Sequence, residues 1–310
     1  MYNLIGMNWD THLRLRHLRC FLEVARVQSV SIAAERLSVT QPAVSRSLKE
    51  FENILGVPLF DRVGRGLRLN EAGRIFQSHA AASLTELMRG HDRLAKDSNA
   101  SVRLSVGALP TAATDLFPRA ALRFREEMPK VRLHILTGPN WLLFNQLRDG
   151  QLDLVVGRMP EGEAASGVTF QQLYIEDVVL VCRPHHPILK SASAEGRIDQ
   201  FPLILPPKGA VICGTVERYL SSIGMPEKRG DFETVALPVG RKIVQSSDML
   251  WFISRGVVAD ELRLGTLCAV DLGSSLLSGP VGISMSRSAP LSVERSVLSD
   301  CLRICADPMA

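Results

Sequence analysis

No run in the chain approaches the ~18 apolar residues of a membrane span. The first thirty residues hold no uninterrupted apolar core of signal-peptide length, so a cytoplasmic protein with no membrane partner is expected. Cys20, Cys182, Cys213, Cys268, Cys301 and Cys305 are scattered, and only the last two stand close, four apart on an expected C-terminal helix. They read as reduced packing thiols rather than a disulfide framework or a metal set. His185 and His186 precede Pro187 in a strand-end turn where adjacent imidazoles point apart, so no metal is expected there either. The phosphate loop G-x-x-x-x-G-K-[ST], the nucleophile elbow G-x-S-x-G and the zinc helix H-E-x-x-H are missing, as are internal repeats and low-complexity segments. The sequence therefore gives no support to an enzyme, and no catalytic residue, metal or cofactor is expected.

What the chain does have is charge in one place. Its formal charge is +4, and the first 97 residues hold 14 Lys and Arg against 10 Asp and Glu, leaving 22 of each sign for the remainder. The basic excess sits wholly in the first third, the footprint of a nucleic-acid partner. At 310 residues and 46% hydrophobic, the chain can hold a small and a larger domain, each with its own core.

The segment Ser29 to Phe60 carries the most information. Ser29 and Ser31 can both cap a helix, and Ala33, Ala34 and Leu37 give that helix a slim face another helix can approach. After Ser38-Val39, Thr40 is placed to accept N–H bonds at the start of a second helix, where Pro42 is tolerated. Val44, Leu48, Phe51 and Leu55 recur at helical spacing and form one apolar stripe; Pro42, Ser45, Arg46 and Lys49 fall opposite. Short polar groups in the first turns with cations behind suit base-edge and phosphate contacts. Gly56 ends the helix. In D-R-V-G-R-G-L-R-L-N, Arg62, Arg65 and Arg68 then punctuate a glycine-bearing hairpin, a wing of guanidinium groups fit for phosphates or a minor groove.

From Glu71 to Lys96 no proline interrupts an approximate helical period in Ala72, Ile75, Phe76, Ala80, Leu84, Leu87 and Leu94. One long helix is expected, paired with its counterpart in a second chain rather than packed on its own domain, with a polar hinge at Asp97–Ser101. Beyond it, 102–107, 131–137 and 152–157 read as strands alternating with helices at 116–128 and 141–148, a βαβαβ pattern implying a parallel sheet. Strands at 178–182, 203–205 and 250–253 with helices at 216–223 and 241–246 form a second α/β lobe; 281–285 and 291–306 return to complete the first. Ligands in such sheets bind beyond the carboxyl ends of the strands. Thr111, Asn140, Arg158, Lys208 and Gly209 lie there, neutral polar groups with two cations, which suits a small carboxylate.

The motif A-A-E-R-L-S-V-T-Q-P-A-V-S-R-S-L-K-E-F-E-N-I-L-G-V-P-L-F-D-R, residues 33–62, closely resembles the LysR-type bacterial transcriptional regulators, and the likeness covers nearly the whole chain. The resemblance implies an α+β multidomain fold: a winged helix-turn-helix at 1–70, a dimerising linker helix at 71–97, and at 98–310 a two-lobed α/β effector domain like the type 2 periplasmic binding proteins. It further implies homodimers or homotetramers on palindromic sites of double-stranded DNA, a small-molecule co-inducer, and contact with RNA polymerase. By motif position Gln41, Pro42, Ser45 and Arg46 match the family's major-groove residues, and Arg62 with Arg65 its wing contacts; Ser31 and Lys49 complete the candidate interface. Asn70 stands where a threonine is usual, and Phe51 replaces a leucine. Within the family, G-A-L-P-T (107–111), L-T-G-P-N (136–140), D-L-V-V-G-R-M (153–159) and residues 173–187 look most like the activators of protocatechuate (pca operon) catabolism, which sense a carboxylated muconate.

Two other classes compete. Residues 102–310 alone resemble a solute-binding protein, against which the basic N-terminal segment argues. An enzyme with a DNA-binding appendage would turn over its ligand.

Overall fold

The computed structural model describes residues 12–64, 66–95, 102–190, 195–287, 289 and 292–307, so Arg65 and the expected hinge Asp97–Ser101 lie outside the described residues. The chain divides into two compact units, one holding residues up to 100 with 148–151, the other 101–147 with 152–310.

In the first unit α1 (Leu15–Val27), α2 (Val30–Arg36) and α3 (Gln41–Leu55) are followed by the hairpin β1 (Phe60–Val63) and β2 (Gly66–Leu69) and by α4 (Glu71–Ala95). The Ser29 hydroxyl caps α2 by accepting the Ile32 N–H, and Ala33 and Ala34 are buried because their short side chains admit the neighbouring helices. Val44, Leu48 and Phe51 are buried as the stripe required. Phe21 stands at the centre, its ring 5.6 Å from those of Phe51 and Phe60 and 5.8 Å from Phe76. Phe51 thus completes an aromatic cluster that a leucine could only fill, adding edge-to-face contacts of roughly 0.5–1.5 kcal/mol each.

The first turns of α4 pack on this same core through Ala72, Phe76 and Ala80, whereas Ile75, Leu87 and Met88 are exposed. The start of the helix thus packs on its own domain, against the expectation, while apolar side chains further along it are exposed. Asn70 fixes its start: Oδ1 accepts the Gly73 N–H at 2.8 Å while Nδ2 donates to Pro58 O at 2.9 Å. A threonine could supply the first bond but not the second.

The second unit is built on β3 (Arg103–Ala108), α5 (Pro110–Ala113), α6 (Leu116–Glu127), β4 (Arg132–Leu136), α7 (Asn140–Arg148), β5 (Leu154–Arg158) and β6 (Val168–Cys182), then β7 (Leu203–Leu205), α8 (Cys213–Ser222), β8 (Phe232–Glu233), α9 (Leu237–Gln245), β9 (Leu250–Ser254), α10 (Ala259–Leu264), β10 (Cys268–Val270), β11 (Ser278–Ser286) and α11 (Val293–Ala306). Strand order is β4-β3-β5-β11-β6-β9-β7-β8, with β10 on β6. Strands β3, β4 and β5 are parallel and β11 closes them antiparallel, so the C-terminal segment completes the first lobe, with α11 packed against α6.

The sequence pointed to a strand at 178–182 only; β6 runs fifteen residues and belongs to both lobes. Residues 168–177 pair with β11 around a bulge at Leu173, and Val178 to Val181 pair with β9. Alternation explains what was missed: residues 168–177 are mixed polar and apolar because one face is solvated, whereas 178–182 are buried throughout. The second lobe has its own core around Trp251, Phe252, Tyr219 and Leu180. Gly240 of α9 lies against the Trp251 ring, where a Cβ would come within 2.5 Å.

Candidate functional site

On α3 the residues opposite the buried stripe, Gln41, Pro42, Ser45, Arg46 and Lys49, are all exposed, as is Ser31 on α2. Thr40 occupies the N-cap in extended backbone but its side chain makes no cap bond, contrary to the sequence expectation. Its carbonyl accepts the Ala43 and Val44 N–H groups instead, and Pro42 has none to offer, so little donor capacity is left for the hydroxyl. The positive end of α3 thereby sits beside an exposed polar face, an arrangement that attracts phosphate.

Cation pairing divides the basic residues. Arg26 and Arg36 meet Glu23, and Arg16 meets Glu50. Arg46, Lys49, Arg62 and Arg68 have no carboxylate partner among the described residues and are exposed. Unneutralised guanidinium and ammonium groups are what a polyanion can displace counterions to reach. In the wing, Arg62 pairs across the hairpin with Leu67 and Arg68 with Asp61, so Arg68 shares its face with a carboxylate and Arg62 does not. Two bonds hold the wing: Leu67 N–H donates to Gln28 O at 3.1 Å, and Leu59 N–H donates to Glu52 Oε1 at 2.7 Å. Arg65 lies outside the described residues.

In the first lobe β3 is flanked by β4 on one side and β5 on the other, so its carboxyl end is where the chain's winding reverses. Strand β7 holds the same place between β8 and β9 in the second lobe. Thr111 follows the first of these strands and the loop Pro206–Gly209 follows the second, which puts one candidate element of each lobe at its switch point. Leu109, just before Thr111, packs on β5 because Gly157 lacks a side chain there; a Cβ would lie 2.5 Å from that of Leu109. Val211, at the end of the Lys208 loop, packs on the apolar cluster of Leu109, Leu143 and Phe144. Leu109, the body of α7 and Val211 thus share one cluster, each within a few residues of Thr111, Asn140 or Lys208.

The predicted residues differ in state. Thr111 is buried, and its hydroxyl lies 3.4 Å from that of Ser254. Asn140 opens α7 with its Oδ1 buried and without a hydrogen-bond partner. Lys208 and Gly209 are exposed, Gly209 in the left-handed region that favours glycine (φ 87°). Arg158 is not an open strand-end cation as expected but only 4% exposed, its Nη2 donating to Glu176 O at 2.8 Å. The backbone there admits it because Gly279 leaves the room: a Cβ would clash with Nη1.

Reasoning from sequence missed Glu176. This carboxyl is 7% exposed on β6 at the junction of the lobes, and Oε1 accepts the Gly256 N–H at 2.9 Å. Burial foremost raises its pKa to about 7, against the lowering effects of the Gly256 bond, Arg158 and Ser254. Gly256 is also held by Thr114, whose hydroxyl donates to its carbonyl at 2.9 Å. The only sign in the sequence was an acid pair, Glu176-Asp177, immediately before a fully apolar strand.

A helix-turn-helix with an exposed polar and basic face in one unit, and a two-lobed α/β unit after it, is the architecture of a transcriptional regulator. Comparison with known families agrees: residues 15–74 match the bacterial regulatory helix-turn-helix proteins of the lysR family, and residues 98–304 match the LysR substrate binding domain. The chain belongs to the LysR family of DNA-binding transcriptional regulators. It is 38% identical over 296 residues to the HTH-type transcriptional regulator PcaQ of Agrobacterium fabrum, covering 95% of each chain. To the regulator YdcI of Escherichia coli it is 30% identical over 296 residues, covering 95% of this chain and 96% of that one. A full-length OxyR variant from Pseudomonas aeruginosa has the same architecture, with a TM-score of 0.63 and 25% identity over 95% of this chain and 96% of the other.

Proposed function

We propose that this regulator activates an aromatic-acid catabolic operon of the protocatechuate type, and that its co-inducer is a small carboxylate such as a carboxylated muconate. The observation that carries the reading is the 38% identity to PcaQ along 95% of both chains. The chemistry of the crevice supports it. Thr111 and Asn140 offer neutral polar groups, Lys208 offers an exposed ammonium, and the apolar cluster beneath them suits the carbon skeleton of a ring-opened acid. Binding of the acid between the lobes would alter how the unit is presented to RNA polymerase at a palindromic promoter site, with the protein acting as a homodimer or homotetramer. On this reading the chain is a cytoplasmic regulator that releases its ligand unchanged and is not an enzyme; among the described residues no helix is long and apolar enough to cross a membrane.

A thermal-shift screen of the full-length protein against aromatic acids and their ring-opened products tests this, because a ligand that binds only the folded state raises the melting temperature. Stabilisation by a carboxylated muconate, with the acid recovered intact, is the expected result. Stabilisation by an unrelated neutral or cationic metabolite alone would assign the regulator to another pathway, and turnover of the acid would make it an enzyme.

A further inference from the structure

Where β6 passes from one lobe to the other, a buried acid and a buried base stand side by side without forming an ion pair. Arg158 of β5 gives Nη2 to the main-chain carbonyl of Glu176, not to its carboxylate, and Arg158 Nε has no hydrogen-bond partner. Glu176 Oε1 is taken by the Gly256 N–H, and Oε2 is buried with none. Two glycines make the arrangement possible, since a Cβ at Gly256 would come within 2.4 Å of Glu176 Oε1 and one at Gly279 would strike Arg158.

The two protonation states of Glu176 fit this site unequally. Neutral, the carboxyl keeps Oε1 as acceptor for Gly256 and carries its proton on Oε2, with the Ser254 hydroxyl alongside. Ionised, it places a full charge in a site so buried that the Gly256 N–H, the Ser254 hydroxyl and the Arg158 guanidinium only partly offset the loss of water, the costly way to bury an anion. The other charged neighbours do not supply what is missing. Asp177 on the same strand opposes ionisation further, and on the turn after β9 Arg255 is exposed.

What the carboxyl holds is the turn 254–258 of the second lobe. That turn carries Ser254, whose hydroxyl meets that of Thr111, and Gly256, whose carbonyl accepts from Thr114, so two first-lobe contacts run through it. We propose that Glu176 is a proton-operated latch between the two lobes: protonated it fastens the 254–258 turn to β6, and on losing its proton it lets go. The latch works in the ligand-free protein and does not require the acid-sensing reading above.

Hydrogen exchange of the full-length protein, read by mass spectrometry on the peptide containing the Gly256 amide and corrected for intrinsic pH dependence, tests it. The carboxyl is held near pH 7 when latched and near the ordinary 4.5 when released. Protection of that amide should therefore fall by roughly tenfold per pH unit between pH 5 and 7 and level off above it. In Glu176→Gln, which keeps the acceptor and cannot ionise, protection should stay flat across the same range. Wild-type protection that does not change with pH, or the same decline in Glu176→Gln, overturns the latch; the wild-type profile decides alone should the variant not fold.

Discussion

Glu52 on the reading helix accepts the backbone N–H of Leu59 at 2.7 Å, a bond that joins α3 to the root of the wing across seven residues. The carboxylate thereby ties the root of the wing to α3, alongside the Leu67–Gln28 bond that holds its second strand. A hydrogen bond to a charged group contributes about 1.5–3 kcal/mol, and its loss leaves the N–H of buried Leu59 unsatisfied. Glu52→Ala is expected to lower the melting temperature and weaken binding to all DNA sequences alike, because the wing loses its position rather than a base contact. Glu52→Gln keeps an acceptor and should recover most of both. Equal DNA affinity in the Ala variant, measured by fluorescence anisotropy, would show that the wing is positioned by other contacts.

Arg46 is exposed and unpaired among the described residues, so Arg46→Ala should leave folding untouched. A bidentate contact to guanine is worth about 1–3 kcal/mol of discrimination. With a duplex selected in vitro by the parent protein, the variant should lose that much affinity while its binding to random DNA changes little. A uniform loss on both would recast Arg46 as a phosphate contact.

Leu87 is 55% exposed on α4, beside the still more exposed Met88. Placed between two such helices, a carboxylate would be buried without a partner, at a cost of several kcal/mol. Leu87→Glu is therefore expected to convert the assembly to smaller species in light scattering, with the DNA-binding core intact. The parental mass at micromolar concentration would move the pairing surface to another face of the helix.

How much of this was legible in the sequence depends on how local the cause is. The stripe Val44-Leu48-Phe51 and the stop at Gly56 follow from helical periodicity and backbone sterics, and both stand as expected. That Thr111 and Lys208 follow the switch-point strands was legible because strand ends are legible. What those side chains do there was not: Arg158 bonds a carbonyl eighteen residues away, and Thr111 meets Ser254 across 143 positions. Glu176 was hidden for the same reason. Its environment is assembled by Gly256 and Arg158, neither of which is near it in the chain, and a glutamate reads as a surface residue until burial is known. Thr40 failed differently, since the chain offered a capping hydroxyl that the Thr40 carbonyl and Pro42 made redundant.

The stability of the second unit should carry the mark of Glu176. Its pKa is raised from 4.5 to about 7, so the folded protein holds a proton that the unfolded chain releases. The stabilisation is complete below pH 4.5 and is lost as pH rises through 7, amounting to about 3 kcal/mol. Glu176→Gln should consequently melt higher than the parent at pH 8, with the difference shrinking as pH falls toward 5. A parent that is the more stable of the two at pH 8 would mean the carboxylate is compensated in the folded state.

Lys208 stands in the loop that follows the switch-point strand of the second lobe, exposed, while Val211 three residues on packs against the first-lobe cluster of Leu109 and Leu143. An ammonium held there can meet an anion seated over Thr111, and its own hydration makes it a contributor of modest strength, about 1 kcal/mol rather than the several a buried pair would give. Lys208→Ala should weaken binding of a carboxylated muconate by roughly five- to tenfold in calorimetry on the full-length protein, with unchanged melting temperature and unchanged affinity for DNA in the absence of the acid. Salt should erode the parent's advantage, since an exposed charge is screened beyond about 10 Å at 0.1 M ionic strength. If the acid binds both proteins equally, the loop shapes the crevice through Val211 and the charge of Lys208 plays no part; if it binds neither, the co-inducer belongs to another chemical class.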